Sequence, residues 1–158
     1  MFMTAMQSNI AVGQISQYKF AQLFELGFEN VLEENYERAE FIFRGLNRSD
    51  QDHGQVSYLL GMCQVFNKSV DENTIQVLES ASKLFSDSHQ RGRVEDRTAP
   101  SVVWFYLAKA YESQGMLSEA LSAYRIYASC AHVGSKMQIQ ESLAAINRLK
   151  AEASKQSI

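Results

Sequence analysis

A leucine–glycine pair recurs along the chain, and this recurrence constrains the fold more than any other feature. Leu26-Gly27 is followed 34 positions later by Leu60-Gly61. A repeat of 20–50 residues is typical of units that cannot bury their apolar faces alone and become stable by stacking on one another. We therefore predict a stack of similar short units within this chain of 158 residues.

A third unit lies further along the chain and reveals the internal pattern. Aromatic, apolar and small residues follow one another at the spacing i, i+3, i+4 and i+7, which places them on one face of a helix. They are Trp104, Leu107, Ala108 and Tyr111. Gly115 interrupts the chain, and a second helix begins near Leu117. Ala120 follows Ala108 by 12 residues, as Ala39 follows Gly27 in the first unit. Small residues at both places allow two helices to cross closely.

This spacing resembles the tetratricopeptide repeat. The resemblance implies an all-α, right-handed solenoid of three helix pairs followed by a C-terminal capping helix. We predict a single domain over residues 15–153, with repeats at about 20–50, 54–86 and 101–134 and the cap at 135–153. Residues 1–14 have no clear period, and we interpret them as a flexible arm or a segment that becomes ordered on a partner.

The spacing departs from a strict period in two places. From Leu60 to Leu107 is 47 residues, and we assign the surplus to a long polar loop over 86–99. Asn73 stands where a small residue is expected after Gly61, so we predict a longer turn around 67–71 with Asp71 as N-cap. The predicted core includes six large residues: Leu23, Leu26, Leu60, Trp104, Leu107 and Tyr111.

The resemblance also implies a binding groove, because the first helices of successive tetratricopeptide repeats line a concave surface. The positions expected to line it form one stripe on each helix, and the floor is mainly apolar: Phe24, Phe28, Val31, Tyr58, Met62, Val65, Phe105, Lys109 and Glu112. We predict that this groove binds an extended apolar segment of another protein. The alternative occupants are the chain's own arm or the second subunit of a homodimer.

Two kinds of tetratricopeptide protein can be compared at these positions. Members that clamp the acidic tails of heat-shock chaperones use Lys, Asn and Arg, whereas this chain has Phe24, Phe28, Val102 and Tyr106, which disfavours that function. The stretch from Leu23 to Cys63 is similar to the chaperones of type III secretion translocators. That resemblance implies a cytoplasmic chaperone for a hydrophobic translocator; the alternative is a structural subunit of a larger assembly whose groove is permanently buried.

Composition and motifs disfavour other functions. The net charge of -3 and pI near 5.6 are unlike a general nucleic-acid binder. No catalytic motif, cofactor motif or zinc-ligand set is found, so we predict a protein that is not an enzyme and needs no cofactor or metal. Cys63 and Cys130 are expected to be buried, reduced thiols. The start of the chain lacks a signal-peptide pattern, and the apolar run Val102–Ala108 is too short for a bilayer, so we predict no direct membrane insertion.

Overall fold

The computed structural model describes residues 15–90, 99–130 and 135–156, with side chains for 15–86, 101–130 and 135–155. These residues form seven α-helices and no strand. The helices are α1 Gln17–Leu32, α2 Tyr36–Ser49, α3 Gly54–Phe66, α4 Glu72–Gln90, α5 Ala99–Ser113, α6 Leu117–Cys130 and α7 Lys136–Gln156. The predicted arm at 1–14 lies outside the described residues.

The helices pack in chain order. Within each repeat α1 packs on α2, α3 on α4 and α5 on α6, while α2 contacts α3, α4 contacts α5 and α6 contacts α7 between repeats. One apolar core runs through the stack from Ala39 to Leu149. The predicted all-α stack of three helix pairs plus a capping helix is confirmed.

The turn within each pair has the same backbone conformation at an equivalent residue. Glu34, Lys68 and Gly115 have φ angles of 60°, 55° and 75°, and they are separated by the same steps of 34 and 47 residues as the repeats. In each turn the next residue donates a backbone hydrogen bond to the carbonyl five residues earlier: Asn35 to Asn30, Ser69 to Gln64 and Met116 to Tyr111, at 2.8–2.9 Å. This is the Schellman arrangement that ends a helix, normally with glycine at the left-handed position.

The helices of each pair cross where the side chains are small. A β-carbon built on Gly27 would lie 2.8 Å from the Phe43 ring, and one built on Gly61 would overlap the Leu78 side chain. Phe43 and Leu78 are therefore equivalent residues, which makes Thr74 the counterpart of Ala39. Both are fully buried. The small residue expected at Asn73 thus lies one position later, because the second turn is longer.

The start of α4 has the predicted N-cap. The Thr74 backbone N–H donates to Asp71 Oδ1 at 3.0 Å, and the Asp71 N–H donates to Thr74 Oγ1 at 3.1 Å. This reciprocal pair satisfies donors that the first turn of a helix leaves free. The predicted turn over 67–71 is confirmed. The prediction of a loop over 86–99 is wrong at both ends, since α4 continues to Gln90 and α5 begins at Ala99. Residues 91–98 lie outside the described residues.

The core differs from prediction at one residue. Leu60 and Leu107 are buried, and Leu23, Trp104 and Tyr111 are half-buried against the core. The prediction for Leu26 is wrong, because its side chain is 38% exposed. No described helix precedes α1, so the side of α1 that would pack on an earlier repeat has no neighbour in the described part of the chain. Across the residues described, no helix has the length and apolar character needed to span a membrane.

Candidate partner-binding surface

We define the inner face as the stripe on α1, α3 and α5 that carries the nine predicted groove residues. Ring contacts show that α3 and α5 are neighbours along this stripe. The Tyr106 ring centroid lies 6.0 Å from that of Tyr58 and 5.8 Å from that of Phe66. Side chains of the second and third repeats therefore meet through the buried ring of Tyr106, which is next to Phe105 of this stripe.

The α1 part of the inner face combines an anchored ring with a free one. Phe24 is half-buried and packs edge-on against Phe43 at 5.8 Å, with His53 on another side at 5.9 Å. Phe28, one turn later, is 43% exposed. Val31 is half-buried. Of these three predicted groove residues, Phe28 is thus the most available for contact.

The α3 part is more buried. Tyr58 and Val65 are half-buried, whereas Met62 is buried. The Tyr58 hydroxyl is neutral near pH 7, as in any ordinary tyrosine, and burial raises its pKa further. This part of the inner face can contribute apolar contact area without a charge.

The α5 part is covered by neighbouring helices. Phe105 is only 3% exposed, with Tyr127 of α6 at 5.4 Å and the Lys109 ammonium 5.4 Å above its ring. Tyr106 is covered by Gln138 of α7, whose Nε2 donates to the Tyr106 hydroxyl at 3.4 Å. Phe105 therefore lies beneath the surface, and its contact with a partner stays a prediction.

Two ion pairs hold α7 against this end of the inner face. Lys109 pairs with Glu141 at 2.5 Å, and Glu112 accepts from Arg148 at 2.7 Å. The hydrogen bond to Glu112 raises the pKa of Arg148. Lys109 and Glu112 were predicted to face a partner, and in the structure both are paired with the capping helix. A cavity of about 650 Å³ lies between them and the end of α3.

Sequence reasoning missed two exposed residues that extend the inner face. Leu32 is exposed and Phe66 is 46% exposed, and both come four residues after a predicted groove position. Phe66 stacks on Tyr36 at a centroid distance of 4.2 Å. The signal was present in the sequence, because Leu32 and Phe66 are themselves 34 residues apart. We predict that both belong to the partner-binding surface.

Groups that could bind a metal or serve as nucleophiles do not gather at this face. Within the described residues there is no cluster of three His, Cys, Asp or Glu side chains that could hold a metal ion. Cys63 and Cys130 are both free. Cys63 is buried as predicted, whereas the prediction that Cys130 is buried is wrong, because its side chain is exposed at the end of α6. Burial raises the pKa of the Cys63 thiol to about 12. His132, which is close to Cys130 in sequence, lies outside the described residues.

Known proteins were compared with the chain by sequence and by fold. No family model matches the sequence, and no curated protein matches it significantly. The type III secretion translocator chaperone SycD of Yersinia enterocolitica is 17% identical, with a TM-score of 0.67, covering 90% of this chain and 91% of SycD. The chain has the fold of such a chaperone.

Two further solved structures agree with this result. PcrH of Pseudomonas aeruginosa, crystallised with the chaperone binding region of PopD, is 18% identical with a TM-score of 0.66, covering 88% of this chain and 96% of PcrH. A chain of a type III secretion complex from Aeromonas hydrophila is 16% identical with a TM-score of 0.66, covering 96% of this chain and 98% of that one. The resemblance inferred from Leu23 to Cys63 thus extends over most of the chain at the level of fold.

Proposed function

We propose that this protein is a cytoplasmic chaperone of a type III secretion translocator and that it binds an extended apolar segment of the translocator on its inner face. The observation that carries the proposal is the exposed apolar stripe of Phe28, Leu32 and Phe66 on a stack with the fold of PcrH and SycD. Exposed apolar patches on small proteins mark contact surfaces. A binding role, rather than catalysis, fits this surface.

The solved neighbours support the choice of ligand. PcrH was crystallised with chaperone binding regions of PopD and of PopB, and SycD with a peptide of the translocator YopD. An extended segment with a few apolar anchors is the kind of ligand that an aromatic, aliphatic stripe can hold. The proposed ligand is therefore a segment and not a folded domain.

The test compares acidic substitutions on and off the inner face. Phe28→Glu and Leu32→Glu place a charge on the stripe, whereas Phe41→Glu makes a similar change on α2, at a side chain that is 78% exposed. Full-length variants are used to capture partners from a lysate of the source bacterium, and the bound chains are identified. Losing the burial of one large apolar side chain weakens binding roughly tenfold or more.

We expect wild type and Phe41→Glu to capture the same hydrophobic secreted protein and both inner-face variants to lose it. Circular dichroism checks that all variants keep their helices. Capture of the same partner by Phe28→Glu would overturn the proposal. The alternative, a structural subunit with a buried face, predicts that the wild-type chain sediments as an oligomer at every concentration.

A further inference from the structure

The cavity at the far end of the inner face joins the apolar stripe to charged groups. Its walls come from the end of α3 and the following turn, from α5 and α6, and from α7. Val65 and Val70 form an apolar wall that continues the predicted stripe. A volume of about 650 Å³ is in the range of ligand sites. A segment bound along α1 and α3 would reach this cavity next.

The charges around the cavity do not balance. Its lining includes three cationic side chains, Lys68, Lys109 and Arg148, and two anionic ones, Glu112 and Glu141. The two carboxylates are engaged by Arg148 and Lys109 in ion pairs of 2.5–2.7 Å. Within the described part of the chain, Lys68 forms no ion pair. The formal surplus is one positive charge, and it belongs to Lys68.

The backbone at Lys68 has a conformation that normally favours glycine. Lys68 is at the left-handed turn position with φ 55°, where Gly115 stands in the third repeat. That conformation is unfavourable for a residue with a β-carbon by roughly 1–2 kcal/mol. Glu34 is at the equivalent position of the first repeat, away from the cavity. A lysine at this turn therefore carries a conformational cost that a glycine would avoid.

We propose that the cavity binds an acidic side chain of the bound segment, placed after its apolar anchors, and that Lys68 is its counter-charge. This inference rests on the proposed function and adds a specificity determinant to it. A carboxylate at this site would be attracted by Lys68 while Glu112 and Glu141 stay neutralised by their own partners. A basic side chain would meet the surplus positive charge and be disfavoured.

The experiment uses full-length protein and a synthetic peptide array. Each peptide has twelve residues, contains apolar anchors, and is acetylated and amidated at its ends. Each is made in two versions that differ only by Asp or Asn at one position near one end. A version with Lys at that position and a version with a free C-terminal carboxylate complete each set. The proteins are wild type, Lys68→Gly and Lys68→Gln, with Glu34→Gly as the matched control. One partly exposed ion pair corresponds to a preference of about threefold to fivefold.

We expect wild type and Glu34→Gly to bind the Asp peptide about threefold to fivefold more tightly than the Asn peptide in low salt, and both Lys68 variants to bind the two equally. Equal binding of Asp and Asn peptides by wild type overturns the inference and leaves the proposed function standing. Preference for Lys, or for a free C-terminus over Asp, overturns the assignment to an acidic side chain. Failure of every peptide to bind argues against the proposed function itself.

Discussion

Gly61 and Leu78 are packed so closely that no β-carbon fits between them. The contact joins α3 to α4 in the middle of the stack, where both residues are buried. Its counterpart in the first repeat is the contact of Gly27 with Phe43. The leucine–glycine recurrence in the sequence is thus explained by close helix crossing.

Gly61→Ala should destabilise the protein. The added methyl group would force α3 and α4 apart, and overpacking of this kind costs about 1–3 kcal/mol, offset in part by the better helix propensity of alanine. Gly45→Ala is the matched control, because a β-carbon there meets nothing within 4 Å, and it should stabilise by about 0.5–1 kcal/mol. Urea unfolding measures both. Equal changes in the free energy of unfolding for the two variants would show that the close helix crossing does not cause the destabilisation.

Asp71→Ala should lower the stability through loss of the N-cap of α4. The Asp71 carboxylate accepts the Thr74 N–H at 3.0 Å, and removal of such a cap costs about 1 kcal/mol. Asp71→Asn keeps an acceptor oxygen at the same place and should stay close to wild type. Thermal unfolding of the two variants side by side tests the cap. If Asp71→Asn lost as much stability as Asp71→Ala, the negative charge of Asp71, and not its hydrogen bond, would be the cause.

Lys68→Gly should not weaken the fold even though it removes a side chain. Relief of the left-handed conformation, about 1–2 kcal/mol, exceeds the cost of greater chain entropy, about 0.5–1 kcal/mol. Glu34→Gly should behave similarly, because its φ is 60°. We expect the urea midpoint of each variant to equal or exceed that of wild type. A clear decrease for Lys68→Gly would mean that its side chain stabilises the fold directly.

Stability should be lost in alkaline solution. Burial raises the pKa values of Cys63 and Tyr106 to about 12 from their ordinary values of 9.0 and 10.0. At a pH between the ordinary and the raised pKa of each group, the unfolded chain loses a proton that the folded chain keeps. Deprotonation therefore stabilises the unfolded state relative to the folded state. The free energy of unfolding should be constant up to about pH 9 and then fall. Urea titrations from pH 7.5 to 10.5 check this, and Cys63→Ala should reduce the fall between pH 9 and 10.

The helical order and the crossing points could be predicted because they depend on local spacing. The two-step register of Leu26, Leu60 and Leu107 located the helix pairs, and Asp71 was identified as a cap from its position alone. The small residue of the second repeat was misplaced by one, at Asn73 instead of Thr74, because turn length follows from backbone geometry that the pattern does not encode. Leu26 was wrongly predicted to be buried, because the repeat pattern assumes that each repeat packs between two others, and no described helix precedes α1.

The contact between the capping helix and the inner face could not be predicted. The apolar period of α7 indicates an amphipathic helix, but Gln138, Glu141 and Arg148 are polar, and their partners on α5 depend on the angle at which α7 lies. For this reason Lys109 and Glu112 were expected to face a partner, and Phe105 was expected to be open. The three-dimensional structure shows that α7 pairs with Lys109 and Glu112 and that Tyr127 of α6 packs on Phe105.

Because α7 closes the α5 end of the inner face, it limits the length of the segment that this face can bind. A helix with its side chains is about 10 Å wide, and an extended chain advances about 3.3 Å per residue, so a segment that crosses α1 and α3 to reach the cavity spans about six residues. On the proposed function, the chaperone recognises a short linear motif of about this length. Only that motif must be unfolded and accessible, and the rest of the client can keep whatever structure it has.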